Sequence, residues 1–184
     1  HNRKLLISPT ASGKSLMIYS IVRYFVEKGK NTLIVVPTTS LVEQMYKDFS
    51  DYGWDVGSFC HKIYAGKERE TDSQVIITTW QSIYKLPRKY FERFSVVIGD
   101  EAHQFKSKSL ISIMTKLADA KYRYGFTGTL DGTQTHKWVL EGLFGPSYKI
   151  IKTEELMKKG HVATLDINVL LLKHSPNKFE TFED

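Results

Sequence analysis

Eight residues near the start of the chain, Ser8-Pro9-Thr10-Ala11-Ser12-Gly13-Lys14-Ser15, have the types and spacing of a loop that holds phosphate. They match the pattern G-x-x-x-x-G-K-[ST], except that Ser8 stands where the first glycine is usual. Small residues let backbone N–H groups curl round phosphate oxygens, and a helix that follows turns the positive end of its dipole towards them. Thr10, Ala11, Ser12 and Gly13 would form that cradle, with Gly13 allowing a turn that a Cβ would crowd. Lys14 would reach the β and γ phosphates of ATP, and Ser15 would offer its hydroxyl to Mg²⁺. The plain alternative is a helix start that happens to contain Gly-Lys-Ser. The surroundings argue against it. Leu5–Ser8 is an apolar run of strand type, and Met17, Ile18, Ile21, Val22 and Phe25 recur after the loop at helical spacing.

A second chemical feature is Asp100-Glu101, which follows the apolar run Val96-Val97-Ile98-Gly99. Such a pair leaves the carboxyl end of a buried strand, the edge where open α/β sheets take their ligands. Asp100 would hold Mg²⁺ through its water shell. Glu101 would orient and deprotonate the water that attacks the γ-phosphate. By themselves, two acids after a strand read rather as a solvated loop start. Combined with Lys14 in a strand-loop-helix unit, they read as a hydrolytic pair.

These residues need a scaffold, and the rest of the sequence supplies one. Short β-branched runs alternate with helical stripes, the sequence form of a mostly parallel α/β sheet with helices on both faces. Strands are expected at 5–8, 32–36, 58–64, 75–79, 95–99, 124–127, 148–151 and 165–172. Helical stripes run through Leu41, Val42, Met45 and Phe49, and through Leu110, Ile113, Met114 and Leu117. Further helices are expected at 136–144 and 153–159, with Gly29 and Gly160 as closing residues. Residues 1–172 would form one lobe, truncated at its N-terminus, and 173–184 a linker.

Composition sets bounds. At 184 residues, 41% hydrophobic and 25% charged, the chain is of ordinary globular type. No apolar run approaches the ~20 residues of a membrane span. Its single cysteine, Cys60, rules out an internal disulfide and fits a reducing compartment, the cytoplasm. A net charge of +6 leans weakly towards a polyanionic partner. The start at His1-Asn2-Arg3-Lys4, with no initiator Met, reads as a piece of a longer protein.

Five segments in order resemble the motifs of superfamily 2 helicases and translocases: Ser8–Ser15, Pro37-Thr38-Thr39-Ser40-Leu41, Thr79-Trp80-Gln81-Ser82, Asp100-Glu101-Ala102-His103 and Thr127-Gly128-Thr129. The fourth is similar to the DEAH form of the hydrolysis motif. Looser strings, Arg123–Leu130, Gly142-Leu143-Phe144-Gly145 and Glu155–Val162, resemble the first motor lobe of bacteriophage recombination helicases of the UvsW type. The resemblance implies a RecA-like lobe of an ATP-dependent enzyme that remodels branched DNA in recombination and repair. DNA is favoured over RNA as partner, with no membrane association and a monomeric state for the fragment.

The resemblance also implies roles. Thr38, Ser40, Thr79, Gln81 and Ser82 would grip a strand backbone, as a motor indifferent to base sequence requires. Trp80 would stack on a base or anchor its loop. His103, Thr127, Gly128 and Thr129 would couple hydrolysis to movement. Members of this superfamily also carry an upstream adenine-binding glutamine and a second RecA-like lobe with arginine fingers. Neither is legible in these residues, so weak nucleotide binding and very slow hydrolysis are expected of the chain alone. Competing readings are an RNA helicase lobe, a restriction-type DNA translocase lobe, a phosphate-loop small-molecule kinase, and a nucleic-acid-binding module with a decayed ATP site. The kinase is disfavoured because it must suppress attack by water and has no use for Glu101.

Overall fold

Parallel strands covered on both faces need continuous apolar runs, and this chain's central runs are of that kind. The computed structural model describes residues 2–9, 12–64, 71–104, 107–128, 134–151, 153–158 and 160. From the N-terminus come β1 (Arg3–Ile7), α1 (Lys14–Glu27), β2 (Thr32–Val36) and α2 (Thr39–Asp51). A one-turn α3 (Val56–Phe59) leads into β3 (Cys60–Ile63), and β4 (Val75–Thr79) precedes α4 (Trp80–Ile83) and α5 (Arg88–Phe91). Next are β5 (Val96–Gly99), a 3₁₀ turn (Ala102–Gln104), α6 (Ser107–Lys116) and β6 (Tyr122–Thr127). The described chain closes with α7 (Gln134–Phe144), β7 (Ser147–Lys149) and α8 (Thr153–Lys158).

The strands form one sheet in the order β3-β4-β2-β5-β6-β1-β7, and every pairing among them is parallel. Successive residues of β2 face opposite sides. Leu33 and Val35 join a core with Ile113, Leu117 and Phe144, while Ile34 and Val36 join one with Val22, Phe25, Met45 and Phe49. So α6 and α7 cover one face, and α1 and α2 the other. The edge strands are short and polar, with Lys62 on β3 and Lys149 on β7, which discourages pairing with a further strand.

Helix ends are closed as their residues dictate. Gly29, at φ 64°, ends α1: its N–H donates to Val26 O, and Lys30 N–H donates to Phe25 O, both at 2.9 Å. Buried Arg123 donates to the carbonyls of Leu117 (2.8 Å) and Ala120 (3.2 Å), just past the end of α6.

Some expected boundaries shift. The strand anticipated from residue 58 begins at Cys60, because Asp55 takes the Ser58 hydroxyl (2.6 Å) and Trp54 stacks on Phe59 (5.4 Å), winding 56–59 into a turn of helix. The strand expected at 148–151 is Ser147–Lys149, set by its register with Leu5–Ile7. The strand expected at 165–172, the linker 173–184, and Thr10, Ala11 and Thr129 lie outside the described residues.

Candidate functional site

With every strand parallel, the carboxyl ends share one edge, and each motif emerges there. β1 delivers the phosphate loop, β6 Thr127-Gly128, β5 Asp100-Glu101, β2 Pro37-Thr38 and β4 Thr79. Gly13 begins α1 at φ 80° and ψ 27°, a left-handed conformation that costs other L-residues on the order of 1–2 kcal/mol. No side chain caps the helix, and open space surrounds the position where a Cβ of Gly13 would stand. That leaves the helix N-terminus uncapped beside open space at Gly13.

The serine in place of the first glycine has a structural use. Ser8 is fully buried, and its N–H donates to Thr127 O at 2.9 Å. Its hydroxyl pairs with that of Ser12, which in turn donates to Pro9 O at 2.5 Å. The substitution therefore fastens the loop to itself.

Lys14 Nζ lies 2.5 Å from Glu101 Oε1, with the two side chains 12% and 20% exposed. This mostly desolvated pair joins the phosphate loop to the acidic motif across 87 positions of sequence. Glu101 is at φ 47°, the one non-glycine with positive φ among the described residues. Such strain is kept where the surroundings impose it, and it turns the side chain towards Lys14. Asp100 is 7% exposed, and burial pushes its carboxyl up to about 6, only partly opposed by the N–H of Glu101 (2.9 Å to Asp100 Oδ1) and by Lys14. Beyond them, His103 Nδ1 lies 2.8 Å from Thr127 Oγ1 and 3.4 Å from Glu101 Oε2. The His103 imidazole thus touches both the end of β6 and the Glu101 carboxylate. Gly128 adjoins the Lys14–Glu101 pair: a Cβ there would stand in ordinary contact, 3.5 Å from Lys14 Nζ.

A cleft of about 390 Å³ is lined by Gly13, Lys14, Ser15, Asp100 and Glu101 on one side and by α2 on the other. The α2 residues, among them Met45 and Asp48, are ones that sequence reasoning missed. A signal existed: Asp48 continues the helical series Leu41–Met45, a carboxylate on the flank of an apolar stripe. Its Oδ2 accepts the Ser15 hydroxyl at 2.6 Å.

The remaining sequence-selected residues lie along the same edge, where β2 and β4 pair with Val36 opposite Thr79. Thr38 Oγ1 caps α2, accepting from Leu41 N at 3.3 Å, while Ser40 is exposed. Thr79 Oγ1 lies 2.9 Å from Ser82 Oγ, and exposed Gln81 donates to Pro37 O at 3.4 Å, tying the two loops together. Residues 80–83 form a helical turn (α4) rather than a loop, and Trp80 packs half-buried against the core with its ring 5.9 Å from that of Tyr84.

An all-parallel sheet with phosphate loop, acidic pair and strand-end threonine on one edge is the architecture of a RecA-like helicase lobe. The chain belongs to the family described as type III restriction enzyme, res subunit, whose sequence model matches residues 1–132. It is 35% identical over 187 residues to the ATP-dependent DNA helicase UvsW of Enterobacteria phage T4, covering 98% of this chain and 37% of that protein. A crystal structure of the UvsW helicase from bacteriophage T4 superposes with a TM-score of 0.73 at 34% identity, covering 80% of this chain and 54% of that one. The Hef helicase domain of Pyrococcus furiosus has a TM-score of 0.67 at 22% identity, covering 80% of this chain and 35% of that one, a likeness of fold. The chain thus spans well under two thirds of its curated relative. Among the described residues, no helix is long and apolar enough to cross a membrane.

Proposed function

We propose that this chain is the nucleotide-binding motor lobe of an ATP-dependent DNA helicase or translocase that remodels branched DNA. The observation that carries the reading is the pairing of Lys14 with Glu101 at 2.5 Å within the cleft that Ser15 and Asp100 also line. The T4 relative named as an ATP-dependent DNA helicase matches along nearly the whole chain, beyond the segment that the restriction-enzyme family model covers. That wider match favours strand remodelling over restriction.

The residues present suit ATP with Mg²⁺. Gly13 leaves the space a phosphate needs, and Asp100 supplies a carboxylate whose burial is costly without a cation. Ser15 and Asp100 would hold the Mg²⁺. When bound, the ion would neutralise charge gathering on the phosphate oxygens.

The chain's own groups do the rest. In the absence of ligand, Lys14 and Glu101 satisfy one another. Phosphate oxygens offer Lys14 a stronger anionic partner, and the exchange frees Glu101 to take a proton from water. His103 and Thr127, in contact with each other and the former beside Glu101, carry that change to β6. Thr38, Ser40, Gln81 and Ser82, the last held by buried Thr79, present hydroxyls and amides to a strand backbone without reading bases. A second lobe of the same polypeptide would complete the motor.

The test is strand-stimulated ATP hydrolysis by the intact protein. Stimulation by branched or single-stranded DNA in excess of that by RNA is the expected result. Glu101→Gln should retain nucleotide binding while phosphate release vanishes. Equal loss of binding and release, or no response to any nucleic acid, defeats the motor reading.

A further inference from the structure

Ser15 Oγ, the hydroxyl that the nucleotide reading assigns to the cation, already has a partner in the ligand-free chain. It donates to Asp48 Oδ2 at 2.6 Å, and Tyr52 Oη lies 3.3 Å from it. Asp48 lies on α2, 33 positions from Ser15, and outside every motif picked out in the sequence. It lines the same cleft as Lys14, Asp100 and Glu101. A hydroxyl has one proton and two lone pairs. With the proton committed to Asp48 and one lone pair turned to Tyr52, the other lone pair of Ser15 stays available to a cation.

We propose that Asp48 is a positioning residue of the cation–phosphate site. Its carboxylate orients the Ser15 hydroxyl, proton away from the ion, and accepts a hydrogen bond from water in the ion's shell. The inference rests on the nucleotide reading above. Among the described residues, the acidic side chains do not by themselves gather into a cage for a metal. That is the expected state for Mg²⁺, which dehydrates reluctantly and comes to such sites with the substrate phosphates, on one or two carboxylates and several waters. A carboxylate next to a ligating hydroxyl is what a hydrated ion can use. Outer partners of this kind typically alter metal affinity 10–100-fold. Without the cation, the same negative charge beside the phosphate loop opposes phosphate binding. Asp48 therefore makes the site selective for nucleotide that carries a metal.

The experiment measures affinity of the intact protein for a fluorescent ADP, first in EDTA and then with Mn²⁺, for wild type, Asp48→Asn and Asp48→Ala. In EDTA the variants should bind as tightly as wild type or a few-fold tighter. With Mn²⁺ wild type should gain affinity, and both variants should lose roughly tenfold of that gain. A simple tie between α1 and α2 would shift the melting temperature and leave the ratio of the two affinities unchanged, and that result overturns the proposal. Combining Ser15→Ala with Asp48→Asn should cost the Mn²⁺ gain less than the sum of the two single losses. Additive losses contradict the assigned role. If wild type shows no Mn²⁺-dependent gain, the nucleotide reading itself fails, and this inference with it.

Discussion

At the scale of single residues, two buried polar groups differ in what they cost the fold. Among the described residues, Thr32 Oγ1 is the buried side-chain polar atom with no hydrogen-bond partner, and it sits in β2 between Val75 and Val96 on the neighbouring strands. An unsatisfied buried hydroxyl costs on the order of 1–3 kcal/mol, so Thr32→Val should stabilise the chain by about 1 kcal/mol. A urea midpoint that rises with unchanged slope is the check; a lower midpoint means the hydroxyl has a partner in solution. Asp100 is costly for a functional reason. Its folded-state value of about 6 exceeds the ordinary 3.8, so the folded state holds the proton more tightly than the unfolded one. Stability from this group is therefore fully present below about pH 4 and is lost as pH rises through 6. Asp100→Asn keeps an acceptor for the Glu101 N–H and removes the charge. It should stabilise the ligand-free chain at pH 7.5 by up to about 3 kcal/mol, and by almost nothing at pH 4. Denaturation of both proteins at the two pH values tests this. An equal effect at both would show that charge is not the cause.

At the scale of elements, a close fit lies where β6 passes beneath α7. A Cβ on Gly125 would stand 2.8 Å from Leu5 Cδ1 and 2.9 Å from the ring of Phe144, which is fully buried. Gly125→Ala should cost about 1–3 kcal/mol by overpacking. Adding Phe144→Leu should cost less than the sum of the two single changes, because the smaller side chain yields the space. Additive losses in a thermodynamic cycle would show that the glycine serves the backbone of β6 instead. This contact also marks the limit of sequence reading. The runs at 32–36 and 75–79 were legible to the residue, since buried parallel strands need unbroken apolar stretches, and the helical stripes of α1, α2 and α6 were equally plain. The short turns at 56–59 and 80–83 were not legible, because local side-chain contacts and neighbouring register decide them. In the candidate site, Lys14, Ser15, Asp100 and Glu101 could be chosen from spacing, since the chemistry restricts the residue types, and His103 only from the family resemblance. Asp48 could be placed on the flank of the α2 stripe but not in the cleft: that depends on how α2 crosses α1, and that packing appears in no short string of residues.

At the scale of the whole molecule, the cleft ties together parts of the sheet that are distant in sequence. Lys14 begins α1 after β1, Glu101 follows β5, and Asp48 belongs to α2, while β6 lies between β1 and β5. A ligand that replaces the Lys14–Glu101 contact therefore binds only the assembled sheet and has no counterpart in the unfolded chain. Linkage then fixes the size of the effect: at a hundred times its dissociation constant, such a ligand stabilises by about 2.7 kcal/mol. For a chain of this length, each kcal/mol moves the melting temperature by roughly 2–4 °C, so nucleotide with Mg²⁺ should raise it by about 5–10 °C. Lys14→Ala should behave differently in two respects. It removes the main contact to the phosphates, so the shift on adding nucleotide should shrink towards zero. It also takes the ammonium from Glu101, 20% exposed beside buried Asp100, so the ligand-free protein should melt lower than wild type near pH 7 and recover part of that loss as acid neutralises Asp100. Thermal denaturation with and without nucleotide, at neutral and mildly acidic pH, reads both respects at once. A Lys14→Ala protein that kept the full nucleotide shift would mean that the ammonium does not meet the phosphates, and that the cleft between α1 and α2 holds its ligand in some other way.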